Sequence, residues 1–174
     1  IFHLNPIHEA LQPDGTTDFR GAFQRLADAA ERLDFPVLVK EIGHGISPAL
    51  FKKLDSLDLY AIDIAGSGGT SWGCIEAFRA KDPQHKKLCS AMSCWGIPTT
   101  YILEQIGGAP RRAKLIASGG IRDGVDIFKS ICLGADFTAI AGALLAAATE
   151  TSMTVEREIQ RMITELKFAM FGAG

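Results

Sequence analysis

The sequence predicts an α/β protein of the (β/α)8 TIM barrel class, of which this 174-residue chain supplies about five βα units. Short apolar segments alternate with amphipathic helices five times, which calls for a parallel sheet with right-handed crossovers. Polar residues follow the carboxyl ends of successive predicted strands. In a barrel those ends converge on one active site, whereas in a doubly wound sheet only the switch point gathers them. The barrel is therefore favoured over a complete doubly wound domain. The polar segments are Asn5, Lys40, 67–71, 118–122 and 141–142.

The first half of the chain contains the first two predicted βα units. Residues 1–5 begin as a buried strand, and apolar residues recur at helical spacing over 19–33. The apolar run 36–40 predicts the next strand. Ser47 is an N-cap followed by proline at the first helical position, so a helix is predicted over 49–57.

The second half repeats this cycle and ends in a long helix. Val125, Ile127, Phe128 and Ile131 share one face of a predicted helix, and Gly134 is its C-terminal stop. Strands are predicted at 59–64, 114–117 and 137–141, and helices at 98–106, 123–133 and 155–170.

The turn at 118–122 joins a buried strand to a helix through two adjacent glycines. Gly119 and Gly120 allow a ligand to approach the main chain closely. Free N–H groups at the start of the following helix would point at an anion, and Arg122 could add a charge-assisted contact. The sequence predicts either a phosphate site here or an ordinary βα turn with a capping role.

Further polar residues lie at or near predicted strand ends. His3 and Asn5 alternate along the first strand and so are expected to share a face. Glu9 could hold a hard cation such as Mg²⁺, or it is a surface carboxylate. Lys40 ends an apolar run and either meets an anion or extends to solvent. Asp63 is unusual inside a strand and is expected to be a satisfied structural carboxylate.

Composition excludes several classes of partner. The net charge is −2 and no basic stripe is present, which argues against nucleic acid. No apolar run reaches the roughly 18 residues that a membrane span requires, so a cytoplasmic protein is expected. The four cysteines show no metal-binding spacing.

Taken in order, the segments resemble the type 2, FMN-dependent isopentenyl-diphosphate isomerases. The glycine turns are shared by many FMN barrels, but the tryptophan-containing segments make the combination specific. The motifs are His3-Leu-Asn-Pro with Glu9, Pro36-Val-Leu-Val-Lys-Glu-Ile-Gly43 with Gly45-Ile-Ser47, Ala65-Gly-Ser-Gly-Gly-Thr-Ser-Trp72, Trp95-Gly-Ile-Pro-Thr99, Ala117-Ser-Gly-Gly-Ile-Arg122 and Glu165-Leu-Lys-Phe-Ala-Met-Phe171.

The resemblance implies that residues 1–174 form a single domain, the C-terminal part of a (β/α)8 barrel whose N-terminal strands are absent. The resemblance also implies the role of each site residue. The catalytic and substrate-binding residues would be His3, Asn5 and His8, the Mg²⁺ ligand Glu9, and the FMN-binding residues Lys40, Thr70, Gly120, Ile121, Arg122, Ala141 and Gly142.

The reaction implied is the interconversion of isopentenyl and dimethylallyl diphosphate in isoprenoid biosynthesis. Reduced FMN would assist proton addition and removal, with NAD(P)H only reducing the flavin. The small-molecule diphosphate would be the partner, and the family implies a homo-oligomer, a tetramer or an octamer.

One residue departs from the family pattern, because His8 stands where glutamine is usual. Histidine can carry charge near neutral pH, whereas a glutamine amide stays neutral. We expect His8 to touch the substrate and to give activity a pH dependence.

Two alternative functions are open. An FMN-dependent 2-hydroxy-acid oxidase or dehydrogenase shares the lysine and the 118–122 turn, but its histidine base has only His85 as a candidate, in a polar run without a matching arginine. A catalytically silent flavin-binding barrel fragment is the other, since five units alone leave open sheet edges.

Overall fold

A computed structural model, which describes residues 1–174, contains one sheet of five parallel strands. Each strand pairs with the next strand along the chain, and the first and last strands pair on one side only. A doubly wound sheet would change direction at a switch point, whereas sequential order is that of an arc of a (β/α)8 barrel. The predicted barrel class is therefore confirmed. The strands are β1 (Phe2–His3), β2 (Leu38–Lys40), β3 (Ala61–Asp63), β4 (Lys114–Ala117) and β5 (Phe137–Thr138).

Nine helices accompany the sheet, and the five predicted ones are confirmed with shifts of a few residues at their ends. None of the nine combines the length and apolar character that a membrane crossing requires. The helices are α1 (Pro6–Leu11), α2 (Ala22–Arg32), α3 (Pro48–Leu54), α4 (Trp72–Arg79), α5 (Pro83–Ala91), α6 (Thr99–Ile106), α7 (Gly124–Cys132), α8 (Gly142–Ala148) and α9 (Ser152–Ala173).

Helices α1, α4, α5 and α8 were not predicted from the sequence, although α4 and α5 carry recognisable caps. The Ser71 hydroxyl accepts a hydrogen bond from the N–H of Cys74 at 3.2 Å. The Asp82 carboxylate accepts one from the N–H of His85 at 2.7 Å, and Pro83 occupies the first position of α5. This N-cap and proline pair is the signal that could have identified α5.

The core lies between the strands and the helices that cover them. Val39, Ile62 and Leu115 are fully buried in three adjacent strands, and Ile102 of α6 packs in the same cluster. Strands covered in this way read as continuous apolar runs, which is why β2 to β4 could be predicted.

The register of the sheet brings three titratable side chains into one row. His3 of β1 lies opposite Lys40 of β2, and Lys40 lies opposite Asp63 of β3. Residues at the same level of neighbouring parallel strands point to the same face of the sheet. The row lies at the carboxyl ends of the strands, where a barrel places its active site.

Candidate active site

A cavity of about 540 Å³ lies at the carboxyl ends of β2 to β5. This volume is within the range of 300–1,000 Å³ that is usual for sites of small molecules and cofactors. The cavity brings together all seven residues that the sequence assigned to cofactor binding. These are Lys40, Thr70, Gly120, Ile121, Arg122, Ala141 and Gly142.

One wall of the cavity is formed by unpaired backbone N–H groups. The N–H groups of residues 119–121 and of 141–143 have no acceptor within the chain, and all six residues line the cavity. Successive free N–H groups in a concave turn form an anion-binding surface. The residues present therefore fit the phosphate of a phosphorylated cofactor, and the small side chains of the wall leave room for the rest of the cofactor.

At the start of helix α7 the structure shows the second of the two predicted alternatives, a capping role. The Asp123 side chain caps the helix by accepting from the N–H of Asp126 at 2.8 Å. The N–H of Gly124 donates to Glu165 Oε2 of α9 at 2.9 Å. Because these carboxylates occupy the helix N-terminus, the anion-binding groups are those of the turn itself.

Arg122 is placed differently from a simple phosphate ligand. Its guanidinium donates to the carbonyl of Gly68 at 2.6 Å and to the carbonyl of Gly120 at 3.2 Å. The side chain thus links the glycine turn after β3 to the glycine turn after β4. Its positive charge still lies at the cavity wall, where it favours an anion through space.

The two glycine turns also pack directly against each other. A Cβ atom on Gly119 would lie 1.9 Å from the carbonyl oxygen of Gly66, and Gly119 has a φ of 88°. The Thr99 hydroxyl lies within hydrogen-bonding distance of the carbonyls of Ser118, at 2.9 Å, and Gly119, at 2.6 Å. Thr99 belongs to the Trp95-Gly-Ile-Pro-Thr99 motif, but its support of the site was missed, because the turn that it contacts lies about 20 residues further along the chain.

A buried carboxylate, Glu41, organises the turn that follows β2. Its Oε2 atom accepts hydrogen bonds from four consecutive N–H groups, those of residues 42–45, at 2.5 to 3.1 Å. Burial opposes ionisation, but the His44 side chain and these N–H donors hold the pKa of Glu41 below its usual range. Ile42 and Gly43 of this turn line the cavity, so Glu41 fixes part of its wall.

His3, Asn5 and Glu9 meet at a separate cavity of about 330 Å³ beside β1. Asn5 is the residue before helix α1 rather than part of the strand, so its predicted alternation with His3 was wrong. Its side-chain amide donates to Glu9 Oε1 at 2.9 Å, and the N–H of Thr16 donates to Glu9 Oε2 at 2.7 Å. The Thr16 N–H and the Asn5 amide hold the pKa of Glu9 below its usual range.

No group of three or more histidine, cysteine, aspartate or glutamate side chains converges as a metal site. Glu9 is therefore a single anionic oxygen donor. This fits the way Mg²⁺ is held, through one or two carboxylates with substrate phosphates and water supplying the rest.

His8 lies away from His3 and Asn5. It is buried, its Nε2 atom is 3.1 Å from Oε1 of Glu76, and its ring centroid is 4.5 Å from that of Trp72. Helix α4 supplies both neighbours, and this helix was not predicted. His85, the candidate base of the alternative oxidase function, lies on α5 beside Cys89 and does not line the 540 Å³ cavity.

The fold and the site define a (β/α)8 barrel protein with an anion-binding turn and a lysine at the strand ends. A family profile described as FMN-dependent dehydrogenase matches residues 12–174, so the chain belongs to that family. The resemblance read from the motifs is confirmed by proteins named isopentenyl-diphosphate delta-isomerase. Those from Stutzerimonas stutzeri, Synechococcus sp. and Vibrio campbellii are 45%, 42% and 40% identical over 98–100% of the chain.

The chain spans about half the length of the curated relatives it matches, between 49% and 51% of each of these three proteins. The chain likewise contains five of the eight strands of a complete barrel, so it forms a partial barrel.

Proposed function

We propose that the protein is an isopentenyl-diphosphate delta-isomerase that uses FMN, and that this chain carries most of its flavin site. The observation that carries the proposal is the cavity that collects all seven expected flavin contacts beside six free N–H groups. The names of the relatives support the reaction.

Different residues of the chain would bind different parts of the cofactor. The N–H groups of 119–121 and 141–143 would bind the phosphate, and Lys40 and Thr70 would contact the remainder of the flavin. Bound flavin would supply the proton transfer and the charge stabilisation that side chains alone supply poorly. Lys40 would hold an anionic group in place, since its Nζ atom is already fixed by the carbonyl of Glu41 at 2.7 Å.

The cavity beside β1 would hold the diphosphate substrate. His3 and Asn5 would bind and orient it, and Glu9 would bind the Mg²⁺ that accompanies its phosphates. NAD(P)H would act only as the reductant of the flavin, and the active protein would be a homo-oligomer.

The test is an anaerobic incubation of the full-length protein with isopentenyl diphosphate, Mg²⁺ and reduced FMN in deuterated water. NMR of the prenyl product should show deuterated dimethylallyl diphosphate only when the flavin is reduced. FMN binding without product or exchange would reject the isomerase reaction. Oxidation of a 2-hydroxy acid would then be the next activity to assay.

Gly142→Val should weaken FMN binding by about tenfold or more without harming the fold. A Cβ atom on Gly142 meets only Thr70 Oγ1, at 3.8 Å, so the protein has room for it. The added side chain would instead occupy the space of the proposed phosphate, and a loss of about 1.4 kcal/mol is a factor of ten. Fluorescence titration with FMN measures the affinity. Unchanged affinity in a folded variant would place the phosphate elsewhere.

His8→Gln should change the rate of isomerisation, because the glutamine amide cannot reproduce the contacts of the histidine ring. His8 Nε2 lies 3.1 Å from Glu76 Oε1, and the ring packs against Trp72. The measurement is the rate of both proteins with saturating reduced FMN. Equal rates would mean that the His8 ring does not affect turnover.

A further inference from the structure

Asp63 is the one acidic side chain on the wall of the flavin cavity, and neither the flavin contacts nor the substrate contacts explain it. It ends β3 in the row that contains His3 and Lys40, and only 5% of the residue is exposed. A buried carboxylate costs free energy unless partners compensate it. The position of the Asp63 carboxylate beside Lys40 therefore needs an explanation.

The hydrogen bonds of Asp63 leave one oxygen uncommitted. Ser118 Oγ donates to Oδ1 at 2.6 Å, and the N–H of Ala65 donates to the same atom at 3.1 Å. Oδ2 receives no hydrogen bond from the chain. The carboxylate thus joins the turns after β3 and β4 through one oxygen and presents its other oxygen and its charge at the cavity wall.

The charge of Asp63 is coupled to that of Lys40. Burial raises the pKa of Asp63, whereas the Ser118 hydroxyl, the Lys40 ammonium and the Ala65 N–H favour its ionised form. Lys40 Nζ donates to the carbonyl of Glu41 rather than to the Asp63 carboxylate. The two opposite charges therefore act through space on each other and on whatever fills the cavity that both side chains line.

We propose that Asp63 is a positioning residue that offsets the Lys40 ammonium and thereby lowers the reduction potential of bound flavin. This inference rests on the proposed FMN site. Reduction adds electrons, so a positive neighbour stabilises the reduced flavin and a negative neighbour destabilises it. With both charges present, the cavity holds flavin without locking it in the reduced state.

The test is the reduction potential of FMN bound to the full-length protein, measured by titration against a reference dye. Asp63→Asn keeps an oxygen that can accept both hydrogen bonds but removes the charge. We expect the ratio of reduced to oxidised flavin at a fixed potential to rise about tenfold, which is about 30 mV for a two-electron couple. The matched control is Asp58→Asn, an exposed carboxylate before β3 at the opposite end of the sheet, which should leave the potential unchanged.

Ser118→Ala distinguishes the effect of the Asp63 charge from the effect of its hydrogen bond. The variant removes the 2.6 Å hydrogen bond from Ser118 and leaves the Asp63 carboxylate in place. Its potential should stay close to that of the wild type. A shift as large as that of Asp63→Asn would show a purely structural role and overturn the proposal. So would an Asp63→Asn potential equal to that of Asp58→Asn.

Lys40→Gln is the second variant, needed if Asp63→Asn fails to fold. Removing the ammonium leaves the Asp63 charge uncompensated, so the ratio of reduced to oxidised flavin should fall about tenfold. An unchanged ratio would overturn the proposal. Wild-type protein that binds no FMN would reject the proposed function and this inference together, whereas bound flavin of unaltered potential in all variants would reject the inference alone.

Discussion

Gly119→Ala is expected to destabilise the protein by about 2–4 kcal/mol and to abolish FMN binding. Its φ of 88° lies in the left-handed region that side chains rarely adopt, and the added Cβ atom would lie 1.9 Å from the Gly66 carbonyl oxygen. The turns after β3 and β4 must then separate, and the cavity wall between them moves with them. Urea unfolding and FMN titration measure the two effects.

The control for this variant is Gly172→Ala near the end of α9. No atom lies within 4 Å of a Cβ atom built there, and alanine is the better helix former. This variant should be as stable as the wild type or slightly more so, with unchanged FMN affinity. If Gly119→Ala behaved in the same way, the close packing of the two turns would not be needed for the site.

The cavity at the strand ends could be predicted from the sequence because barrel geometry makes local motifs converge. Lys40, Thr70 and Gly142 are far apart in the chain, yet each lies at or after the carboxyl end of a strand, and parallel strands end at one edge of the sheet. The glycine turn at 118–122 could likewise be located by its strand and its helix. The sequence could not show which N–H groups near this turn are free. One of the carboxylates that cap α7 is Glu165, which belongs to the distant helix α9.

The surroundings of His8 show the opposite case. Its contacts with Trp72 and Glu76 depend on α4 packing against α1, and neither short helix has a periodic apolar pattern that identifies it. The environment of Asp63 could be predicted only in part. The sequence predicted a satisfied structural carboxylate, and the hydrogen bond from Ser118 agrees, but its position opposite Lys40 follows only from the register of the sheet.

Glu41→Ala is expected to lower the free energy of unfolding by about 3–5 kcal/mol, the usual cost of removing one partner from a buried charged network. The four N–H groups of residues 42–45 would lose their shared acceptor. The turn also contacts α4, because the Trp72 indole donates to the carbonyl of Ile42 at 3.0 Å. Urea unfolding measures the loss, and Glu31→Ala, an exposed residue of α2, is the control that should cost little.

The Glu41 contribution should also depend on pH in a definite direction. The pKa of Glu41 is lower in the folded protein than its usual value near 4.5, so ionised Glu41 stabilises the fold above about pH 4.5. That stabilisation is lost as the pH falls through the lower folded-state pKa. Glu41→Gln cannot titrate at this position, so the stability gap between wild type and Glu41→Gln should be constant from pH 7 to 5 and narrow below. Asp63 acts in the opposite sense, because burial raises its pKa, but it is present in both proteins and cancels in the difference. A gap that stayed constant down to pH 3 would mean that the four N–H groups do not depend on the charge of Glu41.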